Sequence, residues 1–472
     1  MRLFVSSVGS FVLATALACA ASGPSGSDGG GGGSGGSGGT GGGLGGTGGG
    51  GAGGSAGAGG TGGGGAGGAG GAGGGGGAGG GSAMTCAVDT FLASLGKTKL
   101  LVGAQRADDD ITAVTQAPWD IRYRYLSAGI PDGAGPCATC QANCTAKGTS
   151  CKNSAGGCAW WGCWQSDTNP PGDYVRSLIS ESKAKGQFAM VTYYNFFQAS
   201  GLPEGPGQLV KANDAVWLAR YLNDWRFVLQ QVGQEVVLLH IEPDLWGYGQ
   251  QLNANPHLIA AKVKTANPTD CAAIEDSFAG LGKCMIAMTR KYAPKAKVAL
   301  QASAWATGID VALNTNASFD MVGEATKVAN YMIECGASDG DYLVVEASDR
   351  DYAWYATQGQ PLRQWDPTNA TLPNFTQHFT WASTIAKKVG KALVWWQVPV
   401  GHAGLPNMTQ KWKDNRVDYF FAHTAEVAKA YGAAMVFGPG DGNQTTPSTD
   451  NGNLVAKVTA YKAGSGQAPC PP

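Results

Sequence analysis

The chain has 472 residues, 76 of them glycine, with 33 Lys+Arg against 34 Asp+Glu and a formal net charge of −1. That balance excludes a basic nucleic-acid footprint and an acidic solvated tail. No apolar run of ~20 residues follows the N-terminus, which excludes a polytopic membrane protein, and glycines without a three-residue period or interleaved proline exclude collagen.

Arg2 followed by the mostly apolar stretch Leu3 to Leu17 has the form of a secretory signal, too short to span a bilayer. Two readings of Ala16-Leu17-Ala18-Cys19 stand side by side. Ala16 and Ala18 make an A-x-A cleavage site. The same residues resemble a bacterial lipoprotein signal, in which Cys19 is acylated and attaches the chain to the membrane, although that family usually has Leu where Ala16 stands. Residues 22–85 are almost entirely Gly, Ser, Ala and Thr. Such a tract buries too little apolar surface to offset its backbone entropy and reads as a disordered linker, ~40–45 Å end to end. All 14 tryptophans and 15 tyrosines lie beyond it, so residues 86–472 form the folded domain.

Twelve cysteines in an exported chain point to disulfides. Six crowd between Cys137 and Cys163, in a segment without apolar periodicity that reads as a cross-linked insertion at about 130–168. Cys137-x-x-Cys140 has zinc-ligand spacing, but no second CxxC follows at ribbon distance. Cys271 with Cys284, and Cys86 with Cys470, are candidate pairs; Cys335 is left over. Trp160, Trp161 and Trp164 edge the insertion, either packing it or stacking on ligand.

Short apolar runs then alternate with helical stretches. The runs are Lys99–Gln105, Ile121–Leu126, Phe188–Tyr194, Val236–Ile241, Val298–Ser303, Tyr342–Glu346, Ala392–Gln397 and Ala433–Gly438. Helices are expected over 172–185, 213–232, 375–389 and 418–431. Near-continuous apolar strands separated by amphipathic helices imply a parallel sheet buried on both faces. Eight units without a dinucleotide fingerprint favour a closed α/β barrel, the (β/α)8 or TIM barrel, over an open doubly wound sheet.

In such a barrel the chemistry sits where strands end. Those positions carry Gln105 with Asp108 to Asp110, then Tyr193 to Asn195. Next come Glu242 and Asp244 with Trp246 and Tyr248, then Gln301, Ser303 and Trp305. Glu346 follows with Asp349, Arg350 and Asp351, then Trp396, Gln397 and His402, and last Asp441 and Asn443. Carboxylates, amides and aromatics on one face have the composition of a sugar site: one carboxyl protonates a glycosidic oxygen, another attacks or activates water, and rings stack on pyranose faces. Glu242 and Glu346 are the principal catalytic candidates, with Asp244 and Asp349 as alternates. Gln105, Tyr193, Trp246, Tyr248, Trp305, Trp396, Gln397, His402 and Asp441 are the substrate contacts. His240, inside its strand, reads as a bonded core histidine. Five histidines without HExxH, and the lack of a P-loop or G-x-S-x-G elbow, leave no metal or cofactor expected.

With these residues in view, about Leu100 to Gly442 resembles the secreted TIM-barrel glycoside hydrolases. The likeness rests on Ile241-Glu242-Pro243-Asp244, Glu346 and Trp395-Trp396-Gln397. The large retaining clan has its nucleophile Glu after strand seven, where this chain has Gln397. Other sugar-cleaving barrels pair strands four and six, as Glu242 with Glu346 would. The Glu-Pro-Asp triplet also resembles an inverting cellulase family. The resemblance implies an exported or cell-surface monomer that hydrolyses a polysaccharide or oligosaccharide. A carbohydrate-binding or cell-surface barrel without catalysis is the alternative.

Overall fold

A strand buried on both faces needs mostly apolar side chains, and the eight runs supply them, with Arg122 and Arg124 of the second run as buried charged exceptions. In the computed structural model, which describes residues 86–105, 116–127, 130, 172–440 and 442–470, they become β1 (Leu101–Gln105), β2 (Ile121–Leu126), β3 (Phe188–Tyr193), β4 (Val237–Ile241), β5 (Lys297–Ala302), β6 (Tyr342–Glu346), β7 (Ala392–Val398) and β8 (Gly432–Phe437). They pair in parallel and in chain order, and β8 returns to β1 to close the barrel. The signal, the linker, the cysteine-rich insertion with its tryptophans, Asp108 to Asp110, and Asp441 lie outside the described residues.

The described helices are α1 (Ala87–Ser94), α2 (Asp173–Ala184), α3 (Phe196–Ser200), α4 (Ala215–Val232), α5 (Leu245–Leu252), α6 (Val263–Ala266) and α7 (Phe278–Tyr292). They continue with α8 (Met321–Glu334), α9 (Tyr352–Thr357), α10 (Phe375–Val389), α11 (Arg416–Ala422), α12 (Thr424–Lys429) and α13 (Asn453–Ala463). Side-chain caps fix where several begin: Asp214 accepts from Val216 and Trp217 N–H, Ser277 from Gly280, Asp320 from Gly323 and Asn374 from Gln377. One expectation is corrected. The helix read over 418–431 is two short helices broken at His423, whose ring stacks on Tyr419 at 4.0 Å and bonds Glu426.

Two cores result. One lies between strands and helices; the other fills the barrel with Leu101, Tyr123, Met190, Leu238, Val344 and Trp396 among its members. The inner core is plugged at the N-terminal end by α1, whose Val88, Phe91 and Leu92 are buried. Phe91 meets Tyr342, at the start of β6, with ring centroids 5.2 Å apart. Cys86 and Cys470 are joined beside this plug, Cys271 is joined to Cys284, and Cys335 is free and buried. This end of the barrel is therefore closed.

Phe91→Ala should lower stability by about 3–5 kcal/mol through the cavity it leaves. Urea unfolding checks this; an unchanged midpoint would show that α1 rests on the barrel without plugging it.

Candidate active site

Alternation along β4 would send Leu238, His240 and residue 242 into the barrel. Leu238 and His240 obey: both are buried, and His240 packs on Trp396 at 4.7 Å. Glu242 does not. Its φ is +49°, left-handed for a non-glycine residue, and its carboxylate turns into the wall between β3, β4 and α4. There Oε1 accepts from Asn195 N at 3.0 Å, Phe196 N at 2.9 Å and Tyr221 OH at 2.7 Å. Glu242 is fully buried, and burial pushes its carboxyl up to about 8 despite those three donors. Beside it, Asp224 accepts from Tyr193 OH at 2.8 Å and Asn195 Nδ2 at 3.1 Å.

Asp244, two residues on, stays at the open end. It precedes α5 without capping it. Burial, then the charges of Glu204 and Asp349, push its carboxyl well above the ordinary range. Glu346, the last residue of β6, is raised in the same way by burial and by Asp349 and Asp244, against the opposing pull of Arg363 and Arg350. Asp349 pairs with the Arg350 guanidinium and accepts from the Tyr355 hydroxyl. Glu204 accepts from Tyr194 OH at 2.9 Å and Tyr248 OH at 3.2 Å, and burial raises its carboxyl too. Four carboxyls thus share one mouth: Glu204, Asp244, Glu346 and Asp349.

The rest of the mouth is aromatic and amide. Trp396 forms its floor, edge-on to Tyr125 at 5.6 Å and Tyr123 at 6.1 Å. Gln397 also has a left-handed φ, +55°. In the amide orientation that satisfies its neighbours, its nitrogen is 3.2 Å from Glu346 Oε1 and its oxygen 3.2 Å from Gly440 N. A Cβ on Gly440 would fall 2.0 Å from the Asp349 carbonyl oxygen, so the loops after β6 and β8 touch backbone to backbone. Half-buried Tyr248 and Trp305 pack at 4.8 Å on the rim. Gln105 Oε1 accepts from Tyr123 OH at 3.3 Å. Gln301 and Ser303 are buried, Gln301 beside His240 and the Ser303 hydroxyl without a partner within the protein.

Other expected contacts are held elsewhere. Tyr193 is fully buried among Tyr221 and Trp225 on the helical side of β3. Trp246 is buried against Phe278, its Nε1 donating to Ile241 O at 2.9 Å. Neither ring is free to stack on a ligand. His402 spends both ring nitrogens on loops, at Asp450 O (3.0 Å) and Gly404 N (3.1 Å). Asp351 is buried and bonds Gly401 and Thr445 N–H, tying three loops together.

Sequence reasoning missed Glu204, which lies in a Gly/Pro loop ten residues beyond Tyr194 with no local pattern to mark it. Tyr125 was findable: it shares the inward face of β2 with Tyr123. Among the described residues, three metal-ligand-type atoms lie within 4.8 Å of one another only at Cys86, Asp89 and Cys470, at the closed end, where the two sulfurs are bonded to each other.

No protein-family model matches the sequence, and no curated protein matches it. Solved structures do. A Cellulomonas fimi endo-β-1,4-mannanase double mutant aligns over 80% of this chain and 74% of its own, at 12% identity and TM-score 0.44. A family 39 glycoside hydrolase from Bacteroides cellulosilyticus aligns over 77% and 64%, at 9% and 0.39. A GH10 xylanase from termite gut aligns over 81% and 79%, at 11% and 0.37.

Glu242 carries a sign-definite pH effect. Its carboxyl is raised when folded, so between its unfolded value and about 8 the folded state holds a proton that the unfolded state has lost. Stability from this group is complete below the unfolded value and declines as pH rises toward 8, with a limiting slope of about 1.4 kcal/mol per pH unit. Glu242→Gln keeps an acceptor for the three donors and removes the titration. The variant should fold and show a flatter stability profile from pH 5 to 8 by urea unfolding; parallel profiles would refute the buried-acid account.

Proposed function

We propose that the chain hydrolyses glycosidic bonds, with Asp244 and Glu346 as the reacting carboxyls. One observation carries the reading: these two acids come from strands four and six to a single open mouth, each desolvated, with Asp244 among the charges that raise Glu346. Like-charged neighbours in a dry site do not all ionise. Each carboxyl favours its protonated form, and ionising one makes the other hold its proton more tightly, so the pair can set a protonated carboxyl beside a carboxylate, the two species that glycosidic cleavage uses. The protonated carboxyl gives its proton to the departing glycosidic oxygen. The carboxylate attacks the anomeric carbon or takes the proton of an attacking water, according to the separation across the bound ring.

The neighbours have definable parts. Glu204 raises the proton affinity of Asp244 and is itself held by two tyrosine hydroxyls. Asp349 brings the Arg350 cation to the mouth. Gln397 and Gln105 present amides to sugar hydroxyls, while Tyr248, Trp305 and Trp396 present ring faces and edges. Glu242 acts through the wall as a positioning residue, fixing the β3 loop that carries Tyr194. The substrate is a neutral polysaccharide or oligosaccharide, and the site works without a cofactor or metal. Two disulfides fit an extracellular or cell-surface location, with Cys19 acylation as the membrane attachment if the lipoprotein signal is used.

Glu346→Gln and Asp244→Asn should each lower kcat by about 10²–10⁴ with an unchanged circular dichroism spectrum, assayed as reducing ends released from a panel of soluble polysaccharides. Retention of these glycans in affinity electrophoresis with no product from the wild type would favour a binding barrel instead.

The acid must stay protonated, so activity falls as pH rises through its raised value. Glu204→Gln removes a negative charge beside Asp244 and lowers that value. The alkaline limb of kcat/KM should therefore move to lower pH; a limb that stays put would exclude Asp244 as the acid.

A further inference from the structure

β7 carries an extra residue where it reaches the mouth. Trp395 pairs with Met435 and Val398 with Phe437, so β7 has one residue more than β8 over this stretch. Trp395 and Val398 both pack on the helical side, while Trp396 lies inside the barrel. A bulge of this kind re-aims a side chain. Here Gln397 takes its left-handed backbone, is 4% exposed, and sets its amide against Glu346 at the end of the neighbouring β6.

The amide is oriented by a group that can only donate. Gly440 N–H lies 3.2 Å from one end of it, and an NH2 there would set donor against donor. The oxygen therefore faces Gly440, and it also takes the proton of Tyr125 OH at 3.0 Å. The nitrogen is left to donate to Glu346 Oε1 at 3.2 Å. The reverse orientation would bring the nitrogen 3.3 Å from Pro439 O, but it would aim the amide oxygen at Glu346, which would then have to be protonated. Gly440 permits the close approach: a Cβ there would fall 3.0 Å from the Gln397 amide.

An amide N–H on a carboxyl oxygen favours the ionised form. The other groups facing Glu346 are Asp349 and Asp244, which oppose its ionisation, Arg363 and Arg350, which assist it, and Tyr123 and Tyr125. Asp244 stands among Glu204, Asp349 and Glu242, which all oppose its ionisation, with the Tyr194 hydroxyl assisting. We propose that Gln397 is a positioning residue that makes Glu346 the carboxylate of the pair and leaves Asp244 as the acid. The two roles rest on the hydrolase reading; the effect of the amide on Glu346 does not. In cleavage the glycosidic C–O bond breaks with its electron pair staying on oxygen, which takes the Asp244 proton. Glu346 adds to the anomeric carbon or takes a proton from the water that does.

The test reads Glu346 directly, by carbon NMR titration of the side-chain carboxyls in the full-length protein made with isotopically labelled glutamate; Glu346→Gln identifies the signal. Gln397→Met removes the amide at similar size and should raise the Glu346 midpoint by about one pH unit. Gln397→Glu keeps the shape and replaces the donor with a carboxyl. It should raise the midpoint further, because two carboxyls in contact do not both ionise, and it decides the matter if the Met variant does not fold. The acid limb of kcat/KM should move to higher pH in Gln397→Met while the alkaline limb stays in place. A midpoint unchanged or lowered in either folded variant would overturn the proposal, as would cleavage whose acid limb ignores Gln397→Met. A raised midpoint with no cleavage by the wild type would sink the hydrolase reading and leave the hold of Gln397 on Glu346 standing.

Discussion

One carboxyl oxygen, Glu242 Oε1, joins the end of β4 to two other segments: the β3 loop through Asn195 and Phe196 N–H, and α4 through the Tyr221 hydroxyl. To reach them, the residue adopts a left-handed backbone that an L side chain takes only at a cost of about 1–3 kcal/mol. The turn it makes changes the direction of everything that follows. Glu242 goes into the wall, and Asp244 is left at the mouth beside Glu204. The same hydrogen bonds hold the β3 loop, from which Tyr194 reaches Glu204. Without this inversion Glu242 would follow Leu238 and His240 into the barrel.

The strands were legible because a parallel barrel asks something crude of each one: a short, largely apolar run bounded by polar residues. β2 and β6 match the sequence reading to the residue, and the others differ by one or two residues at one end or, for β5 and β8, by one at both. The disulfide pairs were legible for a similar reason, since cysteines beside opposite chain ends can meet only if the domain brings those ends together. The broken helix at His423 was not, because periodicity runs unbroken through 418–431 and the break is set by His423 stacking on Tyr419.

At the site, legibility depended on how far alternation could be trusted. Along β3 it was sufficient: Ala189 and Val191 pack on the helical side, so Tyr193 belongs with them and Tyr194 faces the mouth. Listing strand-end residues without their parity placed Tyr193 in the wrong layer. Along β4 alternation was insufficient, because nothing in Ile-Glu-Pro-Asp announces a left-handed glutamate; glycine or asparagine would have signalled it. Trp246 was ambiguous, as a tryptophan behind a strand-end acid serves as platform or as core, and the Phe278 ring settles it as core. Glu204 had no signal at all, since its role exists only after Tyr194 and Tyr248 converge on it.

The two ends of the barrel divide the energetic labour. At the N-terminal end α1 seals the inner core with Val88, Phe91 and Leu92, and the Cys86–Cys470 bond joins the chain ends beside it, so this half is apolar and cross-linked. At the other end, four carboxyls and two buried polar side chains, Gln301 and Ser303, face inward with incomplete compensation. Desolvated acids of like charge oppose folding, and the apolar half supplies the burial that offsets them. Burial and the neighbouring acids raise the proton affinity of these carboxyls above that of a carboxyl in water. Backbone strain falls at the same end: Glu242 follows the last residue of β4, Gln397 is the penultimate residue of β7, and each takes a left-handed backbone.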